Sequence, residues 1–298
     1  MESNPAVLKQ IPEAETCMAF DHEIEVKDSF DCKQFEIKDE QFKNTVESMW
    51  DAGEESALKK LSEFAASKIQ KYKEKRDFPS IQGTSELSPY LSLGILSAKT
   101  CLNEALKANN GKFDGGNENV ACWISEICWR EFYRTILFHF PRVCMNQPFN
   151  LQTKKVEWLY DEQQFNAWKE GRTGYPIVDA GMRQLKATGY MHNRLRMITA
   201  MFLTKHLLMN WQLGEAYFMS MLVDGDFSSN NGGWQWSAST GTDSQPYFRV
   251  FNPKLQSERF DKDGIYIKKW VPELKKLSSK QIHDPSASLS PGELAKIK

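Results

Sequence analysis

The feature that most constrains this chain is a missing pattern. A half-buried strand alternates apolar and polar residues with period two, and several such runs are needed to build a sheet. In 298 residues only short stretches such as 247–251 and 265–267 come near it. Apolar residues recur instead at steps of three and four, punctuated by Gly and Pro, so the expected fold class is all-α.

Leu58, Leu61, Phe64, Ala65, Ile69 and Tyr72 predict a helix over 54–75, stopping near Asp77 ahead of Pro79. Ser88 is expected to cap the next helix with Pro89 in its first turn, and Ser97 to cap a helix over 98–108. Asn117 should open a long helix over 119–139 that Pro141 ends. Further helices are expected over 161–169, 176–187, 191–209 and 214–223. Residues 224–233 read as a polar loop, with Gly232-Gly233 interrupting the pattern before Trp234.

Charge divides the chain unevenly. Residues 1–57 hold fifteen acidic and five basic side chains, net −10, whereas 58–298 hold 24 acidic and 33 basic, net +9. The organisation read from this is an acidic, irregular arm over 1–57, a helical body over 58–275 and a C-terminal tail over 276–298. The body is basic enough for a phosphate-binding face. No stretch approaches eighteen apolar residues, and no basic-then-apolar segment opens the chain. Cys17, Cys32, Cys101, Cys122, Cys128 and Cys144 lack paired spacing, which fits free thiols in a reducing compartment, and no zinc-type spacing occurs. A cytoplasmic protein without a metal is expected.

Four constellations carry chemistry. Trp123-x-x-Glu126-x-x-Trp129-Arg130 sets a carboxylate between indoles with a guanidinium one turn on; an Arg–Glu surface pair above a buried Trp is the alternative. Asn193, Arg196 and Met197 share a helical face on which an amide can read a base or ring edge and a guanidinium can hold an anion; a solvated basic face is the alternative. Asp224-Gly225-Asp226 leads into Asn230-Asn231-Gly232-Gly233-Trp234-Gln235-Trp236, where Gly permits close approach to a flat ring; a plain turn is the alternative. Trp234 and Trp236 cannot share one helical face. Thr84-Ser85-x-Leu87-Ser88 places hydroxyls at a helix start, as a phosphate cradle or as simple capping.

At this point the chain resembles the class I cyclobutane-pyrimidine-dimer DNA photolyases of the photolyase/cryptochrome family. The matching stretches are Lys75 to Pro79, Gly83 to Ser88, Trp123 to Arg134, Gly171 to Met182, His192 to Thr199 and Asp224 to Pro246. The resemblance implies the helical FAD-binding part of that family without its N-terminal α/β domain, so no antenna chromophore is expected. It assigns FAD to Tyr72, Thr84, Ser85, Leu87, Ser88, Trp123, Arg130, Asn193, Arg196, Asp224, Asp226 and Asn230. It assigns the lesion to Glu126, Trp129, Asn193, Met197 and Trp236, and an electron relay to Trp234, Trp211 and Trp158. DNA phosphates fall to Arg194 and Arg249. The implied activity is light-driven repair of cyclobutane dimers in damaged DNA by a monomer. A flavin-binding photoreceptor and an inactive truncated remnant are the competing readings.

Overall fold

Several helices begin where a side chain satisfies free backbone N–H groups. The computed structural model describes residues 38–298 apart from 245, 296 and 298. The acidic arm expected over 1–57 lies, for residues 1–37, outside the described residues. Its remainder differs from expectation. Asp39 accepts from Phe42 N at 3.0 Å and opens α1 (Glu40–Met49), and α2 (Glu54–Ser67) follows. The periodic stretch to residue 75 is not one rod: a 3₁₀ turn at Ile69–Lys71 separates α2 from α3 (Tyr72–Lys75).

Helix α4 (Ser88–Ser92) takes Leu87 as its cap residue, so Ser88 stands in the first turn instead of capping it. Ser97 caps α5 (Ala98–Ala108), and Asn117 accepts from Asn119 N and Val120 N to open α6 (Glu118–His139). Then come α7 (Glu162–Lys169), α8 (Pro176–Thr188) and α9 (Asn193–Met201). The single helix expected over 191–209 is shorter. It starts after His192, and from Phe202 to His206 it widens into a π-helical turn closed by Leu207 N on Phe202 O at 3.1 Å. Asn210 caps α10 (Trp211–Met221), three residues earlier than expected.

The expected 224–233 loop is largely helical: α11 spans Phe227–Ala238. Its polar residues are used inward. Asn231 donates to Glu215 Oε1 at 2.8 Å, and Gln235 donates to Asn231 Oδ1 at 2.8 Å. Gly232 lies in this helix so close to α6 that a Cβ there would be 2.1 Å from the Tyr133 ring. Close packing thus outweighs the low helix propensity of glycine, about 1 kcal/mol below Ala. The chain closes with α12 (Pro253–Phe260), α13 (Ile265–Trp270), α14 (Pro285–Ser288) and α15 (Pro291–Leu294). The expected tail is partly core: Ile282 is fully buried and His283 Nδ1 pairs with Ser257 Oγ at 2.6 Å.

Among the described residues there is no strand, and no helix is long and apolar enough to cross a membrane. Two apolar clusters hold the fold. One gathers α2, α5 and the first half of α6 around Leu61, Phe64, Cys101 and Trp123. The other gathers α8 to α11 and α13 around Trp168, Met182, Leu195, Phe218 and Trp234. Residues of α6, α9, α10 and α11 also line one cavity.

Candidate functional site

The cavity has a volume of about 440 Å³, within the range of small-molecule sites. Helical spacing supplies its walls. From α6 come Glu126, Trp129, Arg130 and Tyr133; from α9 come Asn193, Arg196, Met197 and Ala200. The end of α10 adds Phe218 and Leu222, the link to α11 adds Asp224 and Asp226, and α11 adds Ser229, Asn230, Gly233, Trp234, Trp236 and Ser237. Three sequence constellations therefore meet in one place although about seventy and thirty residues separate them.

The inner end is apolar. Trp234 is 2% exposed and lies 5.0 Å from Phe218 and 6.0 Å from Trp168, ring centre to ring centre. Trp236 also lines the cavity and packs against Phe251 at 6.5 Å, so the two indoles share it although they were expected in different environments. Trp129, 40% exposed, stands at the open side against Phe132 and Tyr133.

Charge is ordered around these rings. Arg196 donates to both oxygens of Asp224 at 3.0 and 2.7 Å, and its Nε to Met191 O at 2.7 Å. Burial would lower the Arg196 pKa, but Asp224 outweighs it and the guanidinium is held charged. Asp226 accepts from the hydroxyls of Ser228 and Ser229. Asn230 donates its amide N–H to Glu215 O at 3.0 Å, which fixes its amide plane at the wall. Asn193 reaches toward Met197 Sδ at 3.9 Å. Glu126 is ion-paired with Arg76.

Not every expected residue enters the cavity. Tyr72, Leu87 and Trp123 are buried in the α2/α5/α6 core, and Thr84, Ser85 and Ser88 are half-buried outside the lining. Their loop is nevertheless held: Glu86 has a φ of +53°, its carbonyl accepts from Trp50 Nε1 at 2.9 Å, and its carboxylate meets Lys60 at 3.3 Å. Trp211 is buried and Trp158 packs half-buried against the same core as Trp234. Arg249 is exposed. Arg194, expected to reach solvent phosphates, is instead half-buried, bonded to Asp77 at 2.8 Å and stacked 4.4 Å from the Phe260 ring.

Sequence reasoning missed Arg76, Tyr133 and Phe218 as lining residues. Arg76 comes from another segment, and periodicity cannot show that α3 ends beside α6. Tyr133 and Phe218 carried a signal in their spacing, seven residues after Glu126 and seven after Trp211, but it matched ordinary core. Burial pushes the Tyr133 hydroxyl up to about 12, with Asp243 and Glu126 adding to it.

Among the described residues the body is helical, and this cavity joins aromatic rings to an ordered ion pair. Residues 123–298 match the family described as the FAD binding domain of DNA photolyase, and the chain belongs to that family. It is 56% identical over 245 residues to the deoxyribodipyrimidine photo-lyase of Neurospora crassa, covering 80% of this chain and 40% of that protein. A bacterial class III photolyase from Agrobacterium tumefaciens superposes with a TM-score of 0.80 at 43% identity, over 88% of this chain and 53% of that one. A Synechocystis cryptochrome superposes with a TM-score of 0.75 at 35% identity, over 83% and 50%. The chain thus spans about half the length of such relatives.

Proposed function

We propose that this chain, as a cytoplasmic monomer, repairs cyclobutane pyrimidine dimers in DNA under light. The observation that carries the reading is that all five residues the resemblance assigns to the lesion line one cavity together with six of the twelve it assigns to the cofactor. The donor set fits the cofactor: a flat apolar end at Trp234 and Phe218, an oriented amide at Asn230 and a buried ion pair at Asp224–Arg196. Reduced FAD, when bound, supplies the photoexcited electron that opens the dimer's cyclobutane ring and takes it back afterwards.

The chain's own residues do the rest. Asn230 and the Asp224–Arg196 pair hold the ring system, and the hydroxyls of Thr84, Ser85 and Ser88 hold the diphosphate. Trp234 closes the inner end against water. Trp129 and Trp236 offer apolar faces to the two linked pyrimidines turned out of the duplex, which pair and stack poorly and so leave it for only a few kcal/mol. Glu126 presents a carboxylate oxygen to the pyrimidine N–H groups, and Asn193 and Met197 pack beside them. Arg249 binds a phosphate, which places the duplex without reading its sequence.

The test is made in the dark. The chain is passed through gel filtration with FAD and titrated with matched dimer-containing and undamaged oligonucleotides. Retained flavin absorbance and a preference for the dimer of about tenfold or more support the proposal. Retained flavin without preference supports a photoreceptor, and loss of both supports a remnant.

A further inference from the structure

Glu126 is not free in its cavity: Arg76, which closes α3, bonds its Oε1. The guanidinium is fixed by groups other than Glu126. It lies 5.3 Å from the Tyr72 ring, Nη1 is 3.2 Å from Cys122 Sγ, and Nε is 3.9 Å from Asp77 Oδ1. Asp77 is in turn bonded by Arg194 at 2.8 Å. The side chain of Arg76 is 19% exposed and that of Glu126 32%. A guanidinium held on three sides sets the direction of the carboxylate that meets it. None of the described residues bonds Glu126 Oε2, and both side chains line the cavity.

We propose that Arg76 is the positioning residue for Glu126: it engages Oε1 and thereby aims Oε2 at the imide N–H of the flipped-out pyrimidine. The inference rests on the proposed repair function. Arg76 then contributes to telling damaged from undamaged DNA through Glu126, and not mainly as one more phosphate contact. Lysine cannot replace it fully, because a single ammonium lacks the planar fork that meets Glu126 while stacking on Tyr72.

A double-mutant cycle separates the two roles. Dark affinities for dimer-containing and undamaged oligonucleotides of one sequence are measured for the flavin-loaded wild type, Arg76→Met, Glu126→Gln and the double variant, each at several salt concentrations. If Arg76 acts through Glu126, either single change lowers the dimer-to-undamaged ratio by about tenfold, and the double variant is no worse than either. Arg76→Lys falls between wild type and Arg76→Met. The inference is overturned if Arg76→Met weakens both oligonucleotides equally, adds to Glu126→Gln, and reduces the salt slope by about one; Arg76 is then a phosphate clamp. Should Arg76→Met fail to retain flavin, Arg76→Gln carries the same cycle. A wild type without any dimer preference removes the repair reading itself, which is a different failure.

Discussion

His192 shows how one side chain links local structure to the site. Its Nδ1 accepts from Arg194 N at 3.2 Å and so caps α9, the helix that carries Asn193, Arg196 and Met197 to the cavity. Burial at 5% exposure pushes the imidazole pKa down to about 4 from 6.5, with Asp77 opposing and Arg196 and Arg194 assisting. Below about pH 6.5 the unfolded chain therefore takes up a proton that the folded chain refuses. Stability falls as pH drops through that window and levels near pH 4, a loss of about 3 kcal/mol from this residue. His192→Asn keeps a capping acceptor and removes the titration. Urea unfolding at pH 7 and pH 4 should show about 3 kcal/mol less acid loss in the variant. Equal acid losses would mean that His192 is not the buried neutral group described.

At the scale of elements, the neighbouring glycines of α11 make opposite predictions. A Cβ on Gly232 would strike the Tyr133 ring, whereas a Cβ on Gly233 meets nothing within 4 Å and the residue lines the cavity. Gly232→Ala should destabilise the protein by about 1–3 kcal/mol through overpacking. Gly233→Ala should stabilise the flavin-free protein by about 0.4–1 kcal/mol while weakening FAD binding, because its methyl occupies ligand space. Thermal unfolding with and without FAD checks both; a Gly233→Ala protein that binds FAD unchanged would contradict the placement of α11 at the cavity.

That helix also marks the limit of what the residues reveal before folding. Caps were legible in part: Ser97 and Asn117 mark helix starts, because an N-cap is a local contest between a side chain and the first free N–H groups, whereas the Asn210 cap was not read and Ser88 does not cap. The 224–233 stretch was not, because its helix is stabilised by Glu215 and Tyr133 from distant segments, and local propensity argues against it. The Glu126, Asn193 and Asn230 groups were legible as three separate clusters with open alternatives. That they meet in one cavity is a tertiary fact that spacing does not contain. Arg76 was missed for the same reason, and the half-buried, Asp77-paired state of Arg194 differs from the phosphate-facing one that the resemblance implied.

For the whole molecule, the account requires routes for electrons and for DNA. Trp234 touches the cavity and the core, Trp211 is buried in that core, and half-buried Trp158 packs against it; the proposed relay runs through these three. Trp234→Phe should abolish light-driven reduction of oxidised FAD while leaving repair by chemically reduced protein nearly unchanged. Normal photoreduction in that variant would remove Trp234 from the path. The basic 58–298 portion should make DNA affinity fall steeply with salt, whereas the lesion chemistry in the cavity should not change. The most direct test of one cavity shared by flavin and lesion is illumination of the purified, reduced, FAD-loaded chain with a dimer-containing oligonucleotide while pyrimidine absorbance is followed. The account predicts recovery of absorbance in light and none in the dark. Reduced flavin and bound dimer together, illuminated without recovery, would contradict it.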